Sequence, residues 1–222
     1  RWPQPGAMTS SASGTSPASP AQRRMYAVCA LQDDTTAYNL AVTHRVDGRL
    51  DFDRLRTVFA TLVQRHEQLR TSFHLECGSL VQRVHAEVPD VVTVRRVTAE
   101  QALARLEAEP APFDLAQAPL IRVEVLTITD DEHHLCVDMH HIIGDQQSLA
   151  ILSDDLATAL AGGDLGPAPL PYADYVAALE RSQAAGRFDE DVAFFTDLLG
   201  DDLPRLELPV DTTPADPATF AG

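Results

Sequence analysis

Residues 120–160 constrain this chain more than any other stretch. LIRVEVLTI and HHLCVDM are runs of β-branched and apolar residues, and the acidic turn Thr129, Asp130, Asp131, Glu132 between them predicts an antiparallel hairpin. HHIIGDQQ follows at once, and then Leu149, Leu152 and Leu156 at the spacing of one helix face. A polar cluster therefore stands where a central strand becomes a helix.

The flanking segments supply the rest of an α+β pattern. Met25, Val28 and Cys29 share helical spacing, and AVTHRVDG alternates like a strand. From Asp51, a cap candidate, the apolar set Phe52, Leu55, Phe59, Leu62 and Leu69 predicts a long helix. Strands are expected around residues 80–85 and 91–97, with Gly78 breaking the region before them. Thr98 and Gln101 have capping-box spacing, so residues 98–109 should be helical with Leu103 and Leu106 inward. Two further amphipathic helices are expected, one with Tyr175, Val176 and Leu179, the other with Phe188, Val192, Phe195 and Leu199. At the ends the composition changes. Residues 1–20, rich in Ser, Pro, Gly and Ala, read as a flexible linker or appended remnant. Residues 201–222 carry repeated prolines that stop a long helix or central strand, and read as a crossing segment.

A length of 222 residues admits one domain or two small ones, and 45% hydrophobic with 23% charged residues is globular composition. With 33 acidic against 17 basic side chains, the net charge of −16 repels nucleic acid and anionic membranes. The basic residues are all arginine, which removes Schiff-base lysine chemistry. Cys29, Cys77 and Cys136 are too scattered for a disulfide framework or a zinc site. No membrane span or secretory signal is visible, so a cytoplasmic location is expected.

The chemistry concentrates at His140, His141 and Asp145. Imidazole suits proton removal near neutral pH. If the strand ends at Met139, the two rings point apart, one to a cleft and the other into a supporting network. Asp145 has three open roles: orienting a histidine, capping the next helix, or pairing with an arginine. The plainer alternative is that all three only satisfy hydrogen bonds at a strand–helix junction. A metal would need a third ligand from His133, His134, Asp138 or Glu124, in no recognised spacing. A Cys–His pair through Cys136 or Cys29 competes with core packing, and no nucleophile elbow surrounds Ser148.

HHIIGDQ, residues 140–146, resembles the histidine motif of nonribosomal peptide synthetase condensation domains, a family related in fold to chloramphenicol acetyltransferase. SPAQRRMY (19–26), RHEQLRTSF (65–73), PFDLAQAPLIR (112–122) and YADY (172–175) resemble further family motifs, in the same order. The resemblance implies a chloramphenicol acetyltransferase-like lobe, a mixed β-sheet flanked by helices, over residues 21–200. It makes His141 the catalytic residue in amide formation. His140 becomes its supporting neighbour, and Gly144 contributes backbone at the thioester pocket. Asp145 becomes structural, paired with Arg70 or Arg65, of which Arg70 is preferred. Gln146 departs from the family's glycine, and its added Cβ and amide are either harmless or narrow the cleft or move its wall. No cofactor or metal is implied, because the substrates ride on phosphopantetheine arms of donor and acceptor peptidyl carrier proteins. The family has two lobes, so residues 201–222 would lead toward a missing C-terminal one. Two functions are carried forward: the N-terminal half of an amide-forming enzyme of antibiotic and other secondary metabolism, and a noncatalytic carrier-docking module.

Overall fold

Strand β7 (Glu132–His140) organises the protein through its alternation: His133, Leu135, Val137 and Met139 are buried on one face, while His134, Cys136 and Asp138 are half-buried on the other. The computed structural model describes residues 14–32, 35–200 and 203. It divides into two units, residues 1–176 and 177–222. This division falls inside the lobe expected over residues 21–200.

The first unit holds two sheets. In the larger, β7 lies between β2 (Asn39–Asp47) and β6 (Ile121–Thr129), antiparallel to both, and β5 (Val92–Arg96) runs parallel to β6 at the edge. The expected hairpin is β6–β7. The smaller sheet has the order β1 (Gly14–Pro17), β4 (Ser79–Val84), β3 (Thr71–Glu76), all antiparallel. Cys77 and Gly78 make the β3–β4 turn with φ of 49° and 80°, the conformation in which a tight hairpin matches strand twist. β1 lies within the stretch expected to be linker, so that expectation is corrected from Gly14 onward: those residues pair with β4. Residues 1–13 fall outside the described residues.

Helices form where local signals and an apolar face coincide. α1 (Pro20–Ala30) starts with Ser19 and Gln22 in a capping box, and α2 (Phe52–Arg65) starts with Asp51 accepting from the Arg54 N–H. α3 (Ala99–Glu107) has the Thr98–Gln101 box. Its inward face differs from expectation. Leu103 and Leu106 are exposed and Ala102 is buried, because a short side chain lets this helix lie close to the sheet. α4 (Gln146–Leu160) follows β7 and buries Leu149, Leu152 and Leu156. These leucines join Leu55, Phe59 and Leu62 of α2 and the apolar faces of β6 and β7 in one core. Each such side chain contributes about 1.5–3 kcal/mol.

Polar contacts tie the elements around this core. The Gln22 amide donates to Gln68, Gln68 to Gln82, and Gln82 to the Pro17 carbonyl, so a buried row of amides is satisfied end to end. Tyr172 at the start of α5 (Tyr172–Ala184) donates to the Ser19 hydroxyl.

The second unit contains the rest of α5 and α6 (Asp189–Leu199), with Gly186 at φ 68° between them. α6 has no buried residue. The expected crossing segment at 201–222 lies outside the described residues apart from Leu203.

Candidate active site

The β7–α4 connection places the two adjacent histidines in opposite settings. His140 ends β7 and is fully buried. Its Nδ1 accepts from the Ile142 backbone N–H at 3.0 Å, so in the neutral ring Nε2 carries the proton and faces Cys29 Sγ at 3.7 Å. Tyr38 and Phe113 flank the ring. Burial, with the neighbouring His141 adding to it, pushes the His140 pKa down to about 4, so the ring is neutral at physiological pH.

His141 turns outward. Its backbone N–H donates to the Tyr38 carbonyl, and its Nδ1 lies 2.8 Å from the Gly144 carbonyl. A carbonyl only accepts, so Nδ1 holds a proton, and in the neutral ring Nε2 is the nitrogen left with a lone pair. The two rings are thus opposite tautomers: His140 is occupied at both nitrogens, whereas His141 has a basic nitrogen to offer. His141 lines a cleft of about 430 Å³ between α1, the loop after α2, the histidine turn, α4 and the segment leading to Tyr172.

Gly144 is required by close approach. A Cβ there would collide with the Met139 side chain and stand 2.9 Å from Ser148 Cβ. Asp145 is extended and caps α4. Its carboxylate accepts from the Ser148 N–H at 2.9 Å and from the Ser148 hydroxyl at 2.8 Å. These bonds hold its pKa below the ordinary carboxylate range.

The expected ion pair of Asp145 with Arg70 or Arg65 does not form. Arg65 binds Asp155 at 3.2 Å and the carbonyls of Leu165, Gly166 and Pro167, and Arg70 binds Glu67 at 3.6 Å and the His85 carbonyl. The helix N-terminus takes Asp145, and acids nearer the arginines take them. Gln146 is exposed at the first position of α4 and does not line the cleft, so its Cβ neither narrows the cleft nor needs an unusual backbone angle. Glycine is not demanded at that position, because φ there is not positive.

The other candidates separate from His141. Asp138 binds Arg122 at 2.6 Å, Glu124 binds Arg95 and Arg105, and His133 contacts Thr127 at 3.2 Å. Among the described residues no three His, Cys, Asp or Glu side chains converge as a metal site. Cys29 does meet a histidine, but burial raises its thiol pKa and both partners are enclosed, so it serves as an acceptor for His140 rather than a nucleophile. Burial also raises the Cys136 thiol. Sequence reasoning missed Tyr38 and the Gly144 carbonyl as holders of His141, since backbone carbonyls leave no mark in composition. It also missed the Asp155 bridge to His66 (2.8 Å) and Arg65, whose partner lies about 90 positions away.

The family model for the condensation domain matches residues 12–222. The chain belongs to the condensation-domain family. Two curated relatives agree with this. Over 206 residues the chain is 37% identical to surfactin synthase subunit 2 of Bacillus subtilis (strain 168), covering 93% of the chain and 6% of that subunit. Over 195 residues it is 35% identical to tyrocidine synthase 3 of Brevibacillus parabrevis, covering 88% of the chain and 3% of that synthase. Among solved structures, the X-domain in a complex with OxyB from teicoplanin biosynthesis superposes with a TM-score of 0.81 at 28% identity, over 95% of this chain and 49% of that one. This condensation-domain chain therefore has the chloramphenicol acetyltransferase-like α+β fold. It spans about half of that solved relative and a small part of each synthetase. Among the described residues no helix is long and apolar enough to cross a membrane.

Proposed function

We propose that this chain is the N-terminal half of a condensation domain that, in its parent synthetase, forms an amide between an acyl or peptidyl thioester and an aminoacyl acceptor. Both substrates ride on the phosphopantetheine arms of peptidyl carrier proteins. The supporting observation is the His141 tautomer: Nδ1 committed to Gly144 leaves Nε2 as an acceptor at the cleft. In this reading the acceptor amine attacks the thioester carbonyl as Nε2 takes its proton. The carbon–sulfur bond breaks and the phosphopantetheine thiolate leaves, to be reprotonated as the amide forms. His140 holds the turn, Gly144 fixes the His141 ring, and Asp145 anchors α4 behind them. In the parent a second lobe closes the opposite side and aligns donor with acceptor.

The test is intact-mass detection of the condensed product on the acceptor carrier. The parent should form it, and His141→Ala should slow it about 10²–10⁴-fold. The isolated 222-residue chain should show little turnover. Normal product from His141→Ala would reject the role of His141.

A second reading has its own support in the likeness to an X-domain found in complex with OxyB. There the lobe would hold a partner protein and catalyse nothing. An intact parent that is folded and supplied with loaded carriers, yet makes no product, would favour it.

A further inference from the structure

The cleft beside His141 offers a substrate almost no unsatisfied polar side chain. Arg65 is the only arginine lining it among the described residues, and its guanidinium is committed to Asp155 and three backbone carbonyls. Gln22 and Gln68 are joined to each other and to Gln82, Tyr172 is committed to Ser19, and Ser148 to Asp145. His66 gives Nε2 to Asp155. Apart from His141 Nε2 and the carboxylates of Glu67 and Asp145, the described lining is apolar: Met25, Ile151 and Leu170, with Leu69, Ile142 and Leu152 buried behind them. Ile151 and Leu170 are 48% and 52% exposed, so apolar surface faces an open space within the size range of small-ligand sites.

From this we infer that the cleft selects carrier-bound substrates whose side chain is apolar and uncharged; the inference rests on the acyl-transfer reading above. An anionic side chain would meet the carboxylates of Glu67 and Asp145 and, among the described lining residues, find only the committed guanidinium of Arg65. A cationic one could reach Asp145 only as an exposed ion pair, which gives at most a several-fold gain. An aliphatic one leaves no polar group of the cleft without its partner, and each buried methylene adds about threefold in affinity.

The test uses hydrolysis-proof pantetheine thioethers and the 222-residue chain, with affinities read from methyl NMR shifts of Met25 and Ile151. S-butyl pantetheine should bind at least about tenfold more tightly than S-(3-carboxypropyl) pantetheine, and S-hexyl about tenfold more tightly than S-butyl. Ile151→Arg places a cation on an exposed position of α4 and should narrow the butyl-to-carboxypropyl preference several-fold, read there from Met25 and Leu152. Carboxypropyl or 4-aminobutyl thioethers binding as tightly as S-butyl would overturn the apolar assignment and leave acyl transfer by the parent standing. Silence of all four ligands at the cleft methyls would also overturn it, while product formation by the parent is scored independently.

Discussion

Helix α4 buries Leu149, Leu152 and Leu156 in the core, whereas α6 leaves Val192, Phe195 and Leu199 exposed at 62%, 56% and 53% on similar helical spacing. α4 also starts with a capped N-terminus at Asp145, while α6 starts at Phe188 with no side-chain cap. The contrast shows that periodicity names the side of a helix that needs cover and says nothing about whether cover is present. α4 finds it because β7 delivers the chain directly onto the sheet that its leucines fit. For α6 the same pattern stands without buried surface among the described residues.

The largest expected effect is on the α4 side. Leu152→Ala should lower unfolding free energy by about 2–5 kcal/mol in urea denaturation, through lost burial and a cavity. A loss below about 1 kcal/mol would mean α4 is no better packed than α6.

Next is the buried ring that leads into α4. His140 has a folded pKa of about 4 against about 6.5 unfolded. The unfolded chain takes up a proton near pH 6.5 while the folded chain refuses it. Stability is therefore full above about pH 6.5, and about 3 kcal/mol is lost as the pH falls to 4. Titration of the His140 ring by NMR checks this, and a midpoint near 6.5 would contradict the burial argument.

Asp145 sharpens the comparison at the helix ends. Asp145→Ala should cost about 1 kcal/mol as a lost cap, and Asp145→Asn much less. If Asp145 acts only as a cap, its effect adds to that of Arg65→Ala in a double-mutant cycle within about 0.5 kcal/mol; coupling well beyond that would revive an ion pair. The smallest change belongs to α6, where Phe195→Ala should stay within about 0.5 kcal/mol in this chain. A larger loss would show that α6 has cover after all.

Much of the fold was legible because its signals are local. The Thr98–Gln101 box, the Asp51 cap and the alternation in β6 and β7 each involve a few neighbouring residues whose hydrogen bonds or side-chain directions follow from spacing. β1 was hidden by its Ser–Pro composition, because a short edge strand is held by its partner rather than by propensity. The inward face of α3 was misjudged for a similar reason: hydropathy favours leucine, and closeness to the sheet favours alanine.

By itself the sequence determined most of the element order, the caps of α2 and α3 and the placing of His140, His141 and Asp145 between a strand and a helix. Tertiary structure alone decided which histidine faces the cleft, which tautomer each holds and which acid each arginine meets. Cys29 reaches His140 across 111 positions, and Tyr38 reaches the backbone of His141 from another element. A ring's protonated nitrogen depends on the partner at the other, and that partner is known only once distant segments have packed.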